Sequence, residues 1–274
     1  MNQLVQILLG FLLACTIAFA AHRRGSLATS GAVGAVILGT TIFGLGGWPW
    51  GVLLVLFFVS SSALSHFKEG RKAQLAEKFS KGSQRDIWQT LANGGAGAVC
   101  VLGNVIWPHP AWWVAYAGAI ATVNADTWAT ELGVLNQSAP RLITTGQIVE
   151  VGTSGGVSLT GTAAATAGAA LISLCAALFP PFPAFPLVPA FFAITTSGLL
   201  GSLIDSLMGA TVQSIYYCEN CRKETERTPT HTCGQPTRYV RGWRWLENDW
   251  VNFISSVAGA FLAVFGYWLL SGLQ

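Results

Sequence analysis

Apolar and polar positions in this chain are segregated into long blocks. Eight apolar runs, near 3–21, 27–45, 48–66, 86–106, 111–136, 156–179, 187–217 and 249–271, are separated by short stretches that hold most of the charge. Crossing a hydrocarbon core of about 30 Å takes roughly 20 helical residues at about 1.5 Å each, so each run predicts a membrane-spanning helix. The expected fold is therefore all-α, a polytopic bundle of about eight transmembrane helices. It forms a single membrane domain over 1–274 with two longer loops, a basic one over 67–85 and a Cys/His-bearing one over 218–248. The first run reads as a retained helix. Ala18-Phe19-Ala20 offers small residues at a cleavage spacing, but Met1-Asn2-Gln3 supplies no positive n-region, and Arg23 and Arg24 follow the run instead of preceding it.

Composition agrees with the pattern. Of 274 residues, 52% are hydrophobic and only 10% charged, against roughly 25% charged in soluble domains, and the mean hydropathy is +0.51. A disordered chain, a nucleic-acid binder and a secreted disulfide framework are all poorly supported. The net charge of +3 matters less than its placement. All 15 Lys and Arg fall in alternate loops, after the first, third, fifth and seventh runs. By the positive-inside tendency those four loops face the cytoplasm and both termini face outside, in a cell or thylakoid-type membrane. Within the 67–85 loop, Ala73, Leu75, Ala76 and Phe79 could form a short surface helix on anionic lipid, and a solvated basic connector fits equally well.

Against this background three acids stand out. Asp126, Glu131 and Asp205 lie inside apolar runs, where a charge costs several kcal/mol unless partnered or wet. All three fall toward the basic end of the bundle. Asn124 lies near Asp126, and the eighth run opens with Asn248 and Asp249, followed by Asn252. On an ideal helix Asp126 and Glu131 are about 140° apart, so a shared metal would need a distorted helix or bridging water. Carboxylates supplemented by amide oxygens are hard ligands, suited to Mg²⁺ bearing substrate phosphates. Mutual pairing that locks helices, or a proton or ion pathway, would use the same residues.

Two segments on the same side favour phosphate. Arg141 stands in one, and Gly152-Thr153-Ser154-Gly155-Gly156 directly precedes the sixth run. A glycine-rich turn with hydroxyls at a helix N-terminus offers N–H groups and a positive dipole end to an anion. By itself such a turn is weak, since it carries neither a Walker lysine nor a dinucleotide fingerprint. In the last basic loop, Cys218-x-x-Cys221 and His231-x-Cys233 have the makings of a structural zinc knuckle. Cys15, Cys100 and Cys175 sit in apolar runs and read as packing.

The segments Asn124 to Gly133, Pro140 to Thr145, Gly152 to Gly161, Gly201 to Ala210 with Gln213, and Trp245 to Asn252 together resemble an integral membrane family, domain of unknown function 92, which includes phytyl-phosphate kinase. The likeness covers nearly the whole chain. It implies a membrane kinase that moves the terminal phosphate of an NTP, with CTP as the implied donor, onto a prenyl (phytyl or geranylgeranyl) monophosphate to give the diphosphate. The family also looks distantly similar to CTP-using prenol kinases and phosphatidate cytidylyltransferases. A CTP-dependent prenol kinase, a related nucleotidyltransferase and an ion-coupled transporter therefore stand as alternatives. On the kinase reading Asp126, Glu131, Asp205 and Asp249 handle Mg²⁺, helped by Asn124, Asn248 and Asn252, while Arg141 and Thr153 to Gly156 hold phosphates. The resemblance does not account for the Cys-rich insert.

Overall fold

In the computed structural model, residues 2–67, 84–135, 139–183 and 185–272 are described. Most of the 67–85 loop, including the stretch Ala73 to Phe79, lies outside them. Eight α-helices are present among the described residues: α1 Gln3–Arg23, α2 Thr29–Thr41, α3 Trp48–His66, α4 Ile87–Ile106, α5 Pro110–Gly133, α6 Leu159–Leu178, α7 Leu187–Thr211 and α8 Asn248–Ser271. A π-helical turn, Ile42–Gly46, prolongs α2.

Helix starts follow the local chemistry of the chain. Asp86 and Gln89 form a reciprocal capping box at α4, His109 caps α5 with Pro110 in its first turn, and Ser158 caps α6 by accepting from Gly161 N at 3.1 Å. Each satisfies backbone N–H groups that a helix start leaves without partners. Among the described residues six segments are long and apolar enough to cross a membrane: α1, Thr29–Gly46, α3, α6, α7 and α8. Helices α4 and α5 match them in length, with 20 and 24 residues, and carry amide or acidic side chains among their apolar ones, Gln89, Asn93 and Asn104 in α4 and Asn124, Asp126 and Glu131 in α5.

The reason is position. Helix α5 packs against α3, α4, α6, α7 and α8, and every residue from Trp113 to Ala125 is buried. Its neighbours come close through small side chains. Gly118 abuts Ala263 and Gly259, Gly198 abuts Ala169 and Ala121, and Gly201 lies on Thr122. Between membrane helices the gain comes from such close packing, because lipid is as apolar as leucine. At one end of the bundle Trp50, Trp113 and Tyr116 cluster, with the Tyr116 hydroxyl donating to Trp50 O at 2.5 Å.

At the other end the basic loops converge. Arg85 N donates to Ser26 O at 3.1 Å, Ala28 N donates to Arg85 O at 3.0 Å, and Ser26 Oγ pairs with His66 Nε2 at 3.1 Å. Those bonds tie together the ends of α1 and α3 and the starts of α2 and α4. Two small sheets sit at this end among the described residues, built from segments that the sequence pattern predicts as loops and from the edges of the sixth and seventh apolar runs. Strands β1 Arg141–Leu142 and β2 Gly156–Val157 pair antiparallel. Strands β3 Ile215–Cys218, β4 Lys223–Thr225 and β5 Arg238–Arg241 form an antiparallel sheet in the order β4-β3-β5. The seventh apolar run was expected to continue to 217, but α7 stops at Thr211. Ile215-Tyr216-Tyr217 is β-branched and aromatic, and its apolar surface is covered by strand neighbours, with Ile215 and Tyr216 buried.

Candidate functional site

A cavity of about 290 Å³ opens among the ends of α5 and α7 and the starts of α6 and α8. Helix α5 delivers Asp126 and, on its last turn, Glu131; α7 delivers Asp205; and α8 delivers Asn248 and Asn252. The hydroxyl of Ser202 donates to Asp126 Oδ1 at 3.4 Å, and that of Ser255 donates to Asp205 Oδ2 at 3.1 Å. Asp126 and Asp205 lie within electrostatic reach of each other and of Glu226. Three carboxylates gathered around one cavity repel unless cations or protons share it.

Glu131 occupies a different side of the same cavity. Its Oε1 accepts from Ser65 Oγ at 2.6 Å, and it acts electrostatically on Arg85. Arg85 is held in place by Ser62, to which it donates at 3.3 Å, and lies over the rings of Phe57 and Phe58 at 5.8 Å each. Burial pushes its guanidinium pKa down, with Glu131 pulling in the other direction, and an arginine so placed remains cationic. Arg85 also borders a second, apolar cavity of about 80 Å³ lined by Ala14, Ala35, Leu38, Leu54 and Gly94 among others.

Facing the acids is the turn Val151 to Ser158, all of which lines the first cavity. Gly152 and Gly155 have φ of +82° and +83°, a region open to glycine at little cost. Gly155 also has no room for a side chain, since a Cβ would come 2.5 Å from that of Ala210. The turn is fixed by Ile143 N donating to Gly155 O at 3.0 Å and Gly156 N donating to Thr153 O at 2.9 Å. Directly after it, the N-terminus of α6 adds the positive end of its dipole, with Ser158, Gly161 and Thr162 in the lining. An anion between this turn and Arg85 would meet donors on one side and a cation on the other.

Of the residues singled out by sequence, the cavity gathers Asp126, Glu131, Asp205, Thr153, Ser154, Gly155, Gly156, Asn248 and Asn252. Three lie elsewhere. Asn124 is fully buried and braces helices, accepting from Ser60 Oγ at 3.0 Å and donating to Gly168 O at 2.8 Å. Arg141 is exposed and donates to Gly146 O at 2.8 Å. Asp249, in the first turn of α8, is outside the lining.

Sequence reasoning missed Ser65, Gln89 and Glu226, and read Arg85 only as a topology-setting cation. Arg85 had one available signal, being the last cation before a capping residue. Glu226 had none. It sits between Cys221 and His231, and only folding of the insert brings it to the cavity, where Oε1 accepts from Ser154 Oγ at 2.9 Å and from Gln213 Nε2 at 2.8 Å.

The four soft ligands of that insert do come together. The ligand atoms of Cys218, Cys221, His231 and Cys233 all lie within 4.8 Å of one another. The Cys218 and Cys233 sulfurs are 3.6 Å apart, and His231 Nδ1 is 3.4 Å from Cys233 Sγ. A tetrahedral zinc site with Zn–S of about 2.3 Å separates its sulfurs by about 3.8 Å, so the constellation fits that ion. Cys221 N points at Cys218 Sγ, 3.5 Å away, as expected when a thiolate is stabilised by the backbone of its own knuckle. The Gln235 backbone and then His231 push the Cys233 thiol down to about 6, while hydrogen bonding to Cys233 pushes Cys221 up to about 11.

Comparison with known proteins places this arrangement in a family. The description "integral membrane protein DUF92" matches residues 12–260. Protein PGR of Arabidopsis thaliana is 33% identical over 94% of this chain and 94% of its own length. An uncharacterized membrane protein of Methanocaldococcus jannaschii, MJ0933, is 28% identical over 97% of each chain. Protein VTE6, chloroplastic, of Arabidopsis thaliana is 25% identical over 87% of this chain and 64% of that protein. No solved structure gives a significant match. Because the matched region spans α2 to α7 whole and most of α1 and α8, and so encloses the cavity, the chain belongs to the DUF92 family of multi-pass integral membrane proteins.

Proposed function

We propose that this protein is a membrane kinase that transfers the terminal phosphate of a nucleoside triphosphate, CTP by family resemblance, to a prenyl monophosphate such as phytyl or geranylgeranyl phosphate. One observation carries the reading: a single cavity sets Asp126 and Asp205 opposite a glycine turn, a helix N-terminus and Arg85. Acids alone would suit ion passage as well. Acids facing phosphate donors suit a metal-bound triphosphate.

The donor set is of hard oxygen, from Asp126, Asp205, Asn248 and Asn252, with Glu131 on another side of the cavity and Asp249 next to Asn248 in the chain but outside the lining, and fits Mg²⁺. When bound, that ion would offset charge on the phosphates during transfer. The acceptor oxygen of a prenyl monophosphate is already ionised near neutrality. It attacks the terminal phosphorus, a P–O bond forms, the bond to the bridging oxygen breaks, and the nucleoside diphosphate leaves with that electron pair. Such chemistry asks little of a general base. It asks for positioning and for relief of anion repulsion. The Thr153 to Gly156 turn, through the amides of Ser154 and Gly155, and the start of α6 hold the nucleotide phosphates, while Thr153 N and Gly156 N close the turn itself on Glu150 O and Thr153 O. Arg85 takes the acceptor phosphate, while Arg141, bonded to Gly146 O, stakes the neighbouring loop. The acceptor's chain enters laterally, through the apolar cavity that α1 to α4 form beside Arg85.

On the same reading the basic end faces the cytoplasm, following the placement of Lys and Arg, and Cys218, Cys221, His231 and Cys233 hold a structural zinc. The deciding experiment incubates purified protein and Mg²⁺ with each labelled NTP and a panel of prenols and prenyl phosphates. Label in prenyl diphosphate, strongest with CTP, is the expected result. Transfer to alcohols alone favours a prenol kinase, release of pyrophosphate with a nucleotidyl-lipid favours a nucleotidyltransferase, and transfer to none favours transport.

A further inference from the structure

The Cys/His insert has contacts that a surface cap would not need. Its β5 strand sends Arg241 Nη1 to the carbonyls of Gly209 and Ala210, at 3.0 and 2.9 Å, on the last turn of α7. Ala210 is the residue on which Gly155 rests. From the other strand, β4 ends at Thr225, in register with Tyr216, and the next residue is Glu226. Glu226 joins Ser154 in the glycine turn to Gln213 just beyond α7. Gln213 is itself buried, with Gly242 of the insert packed on its carbonyl. The insert thus grips the glycine turn at two points, directly through Glu226 and indirectly through α7.

The Cys/His constellation lies at the root of this grip. Cys218 ends β3 opposite Lys223 of β4, and the span from Cys221 to Glu226 is one short strand. A small sheet of three short strands has little core of its own. For a unit of this size, a bound metal supplies the folding energy that burial does not.

We propose that the metal-loaded Cys/His insert is a clamp for the glycine turn, with Glu226 as its positioning residue, so that metal occupancy sets the order of the phosphate-facing amides. This rests on the proposed kinase reading for its effect on turnover, but the clamp itself is testable without turnover. Hydrogen exchange is followed at the amides of Ile143 and Gly156, which close the turn, in metal-loaded protein, in chelator-stripped protein and in Cys218→Ser. Metal content is measured alongside. Stripping is expected to speed exchange at these amides roughly ten-fold or more, the loss of a hydrogen bond to a charged group, with α1 to α3 unaffected. Restoring Zn²⁺ to stripped wild-type protein should reverse it. Glu226→Ala should reproduce the faster exchange while keeping its full metal content. Glu226→Gln, which keeps an acceptor for Ser154, should retain most of the protection.

If the kinase reading also holds, Glu226→Ala raises the KM for the nucleotide about ten-fold and leaves that for the prenyl phosphate unchanged. Three results would overturn the clamp: purified protein that binds no metal, unaltered exchange in verified metal-free protein, or equal loss in Glu226→Ala and Glu226→Gln. A protein that shows the exchange changes yet transfers no phosphate would sink the kinase reading and leave the clamp standing.

Discussion

Helices α1 and α5 are both apolar, yet they differ in almost everything else. Helix α1 buries only Gly10, Ala14, Ala18 and Ala21 and turns Leu4, Leu8, Leu12 and Phe19 outward. Helix α5 buries thirteen consecutive residues, Trp113 to Ala125, Thr122 and Asn124 among them. The large apolar side chains of α1 therefore mark lipid, and the small and polar ones of α5 mark protein. In a membrane protein the most buried helix need not be the most apolar one. It can carry polar groups because neighbouring helices satisfy them, and where its last turns leave the bundle those groups become available for chemistry.

The contrast can be tested at graded cost. The largest effect is expected at the end of α5 and its partner α7. Asp126→Asn and Asp205→Asn should each lower phosphoryl transfer by roughly 10³-fold, as loss of a charge-stabilising group does, while detergent gel filtration shows a folded protein. Full activity in both would remove these acids from catalysis. Next comes the packing around α5. A Cβ at Gly259 would fall on the Thr122 hydroxyl, which already donates to Gly118 O at 2.9 Å. Gly259→Ala should cost about 1–3 kcal/mol, read as a lowered melting temperature in detergent. An unchanged melting point would mean that α5 and α8 are less tightly packed than described.

A smaller and more selective effect belongs to Arg85. Arg85→Gln should raise the KM for the prenyl monophosphate about ten-fold, as for a lost charged hydrogen bond, and leave that for the nucleotide alone. Arg141→Gln should change neither, because its guanidinium is bonded to Gly146 O outside the cavity. The reverse outcome would return the phosphate role to Arg141. The smallest effect is expected on α1, where Leu8→Ala should shift stability by no more than about 0.5 kcal/mol. A large loss there would show that this face meets protein and not lipid.

Most helix positions were legible because membrane-length apolarity is a coarse signal that survives local variation. It misled where apolarity had another cause, as at Ile215 to Tyr217, whose side chains pack within a sheet. Asp126, Glu131 and Asp205 were legible because an acid in an apolar run is costly and therefore conspicuous. Asn124 was conspicuous for the same reason, yet its amide is spent between Ser60 and Gly168. A polar residue among apolar ones signals that it has a partner, without saying whether the partner is substrate or backbone. Glu226 was illegible because an acid in a polar loop carries no such penalty, and only the pairing of β3 with β4 brings it to Ser154.

Arg85 borders a polar cavity on one side and an apolar one on the other. For an acceptor seated there, the head reacts while the chain never leaves hydrocarbon. Drawing a twenty-carbon chain into water would cost on the order of 16 kcal/mol at about 0.8 kcal/mol per methylene, so desorption is not a step in turnover. On the proposed kinase reading the two substrates would then arrive by different kinds of diffusion, the nucleotide in three dimensions and the prenyl phosphate in two. The rate should follow the mole fraction of acceptor in the bilayer and be indifferent to its amount per volume of buffer.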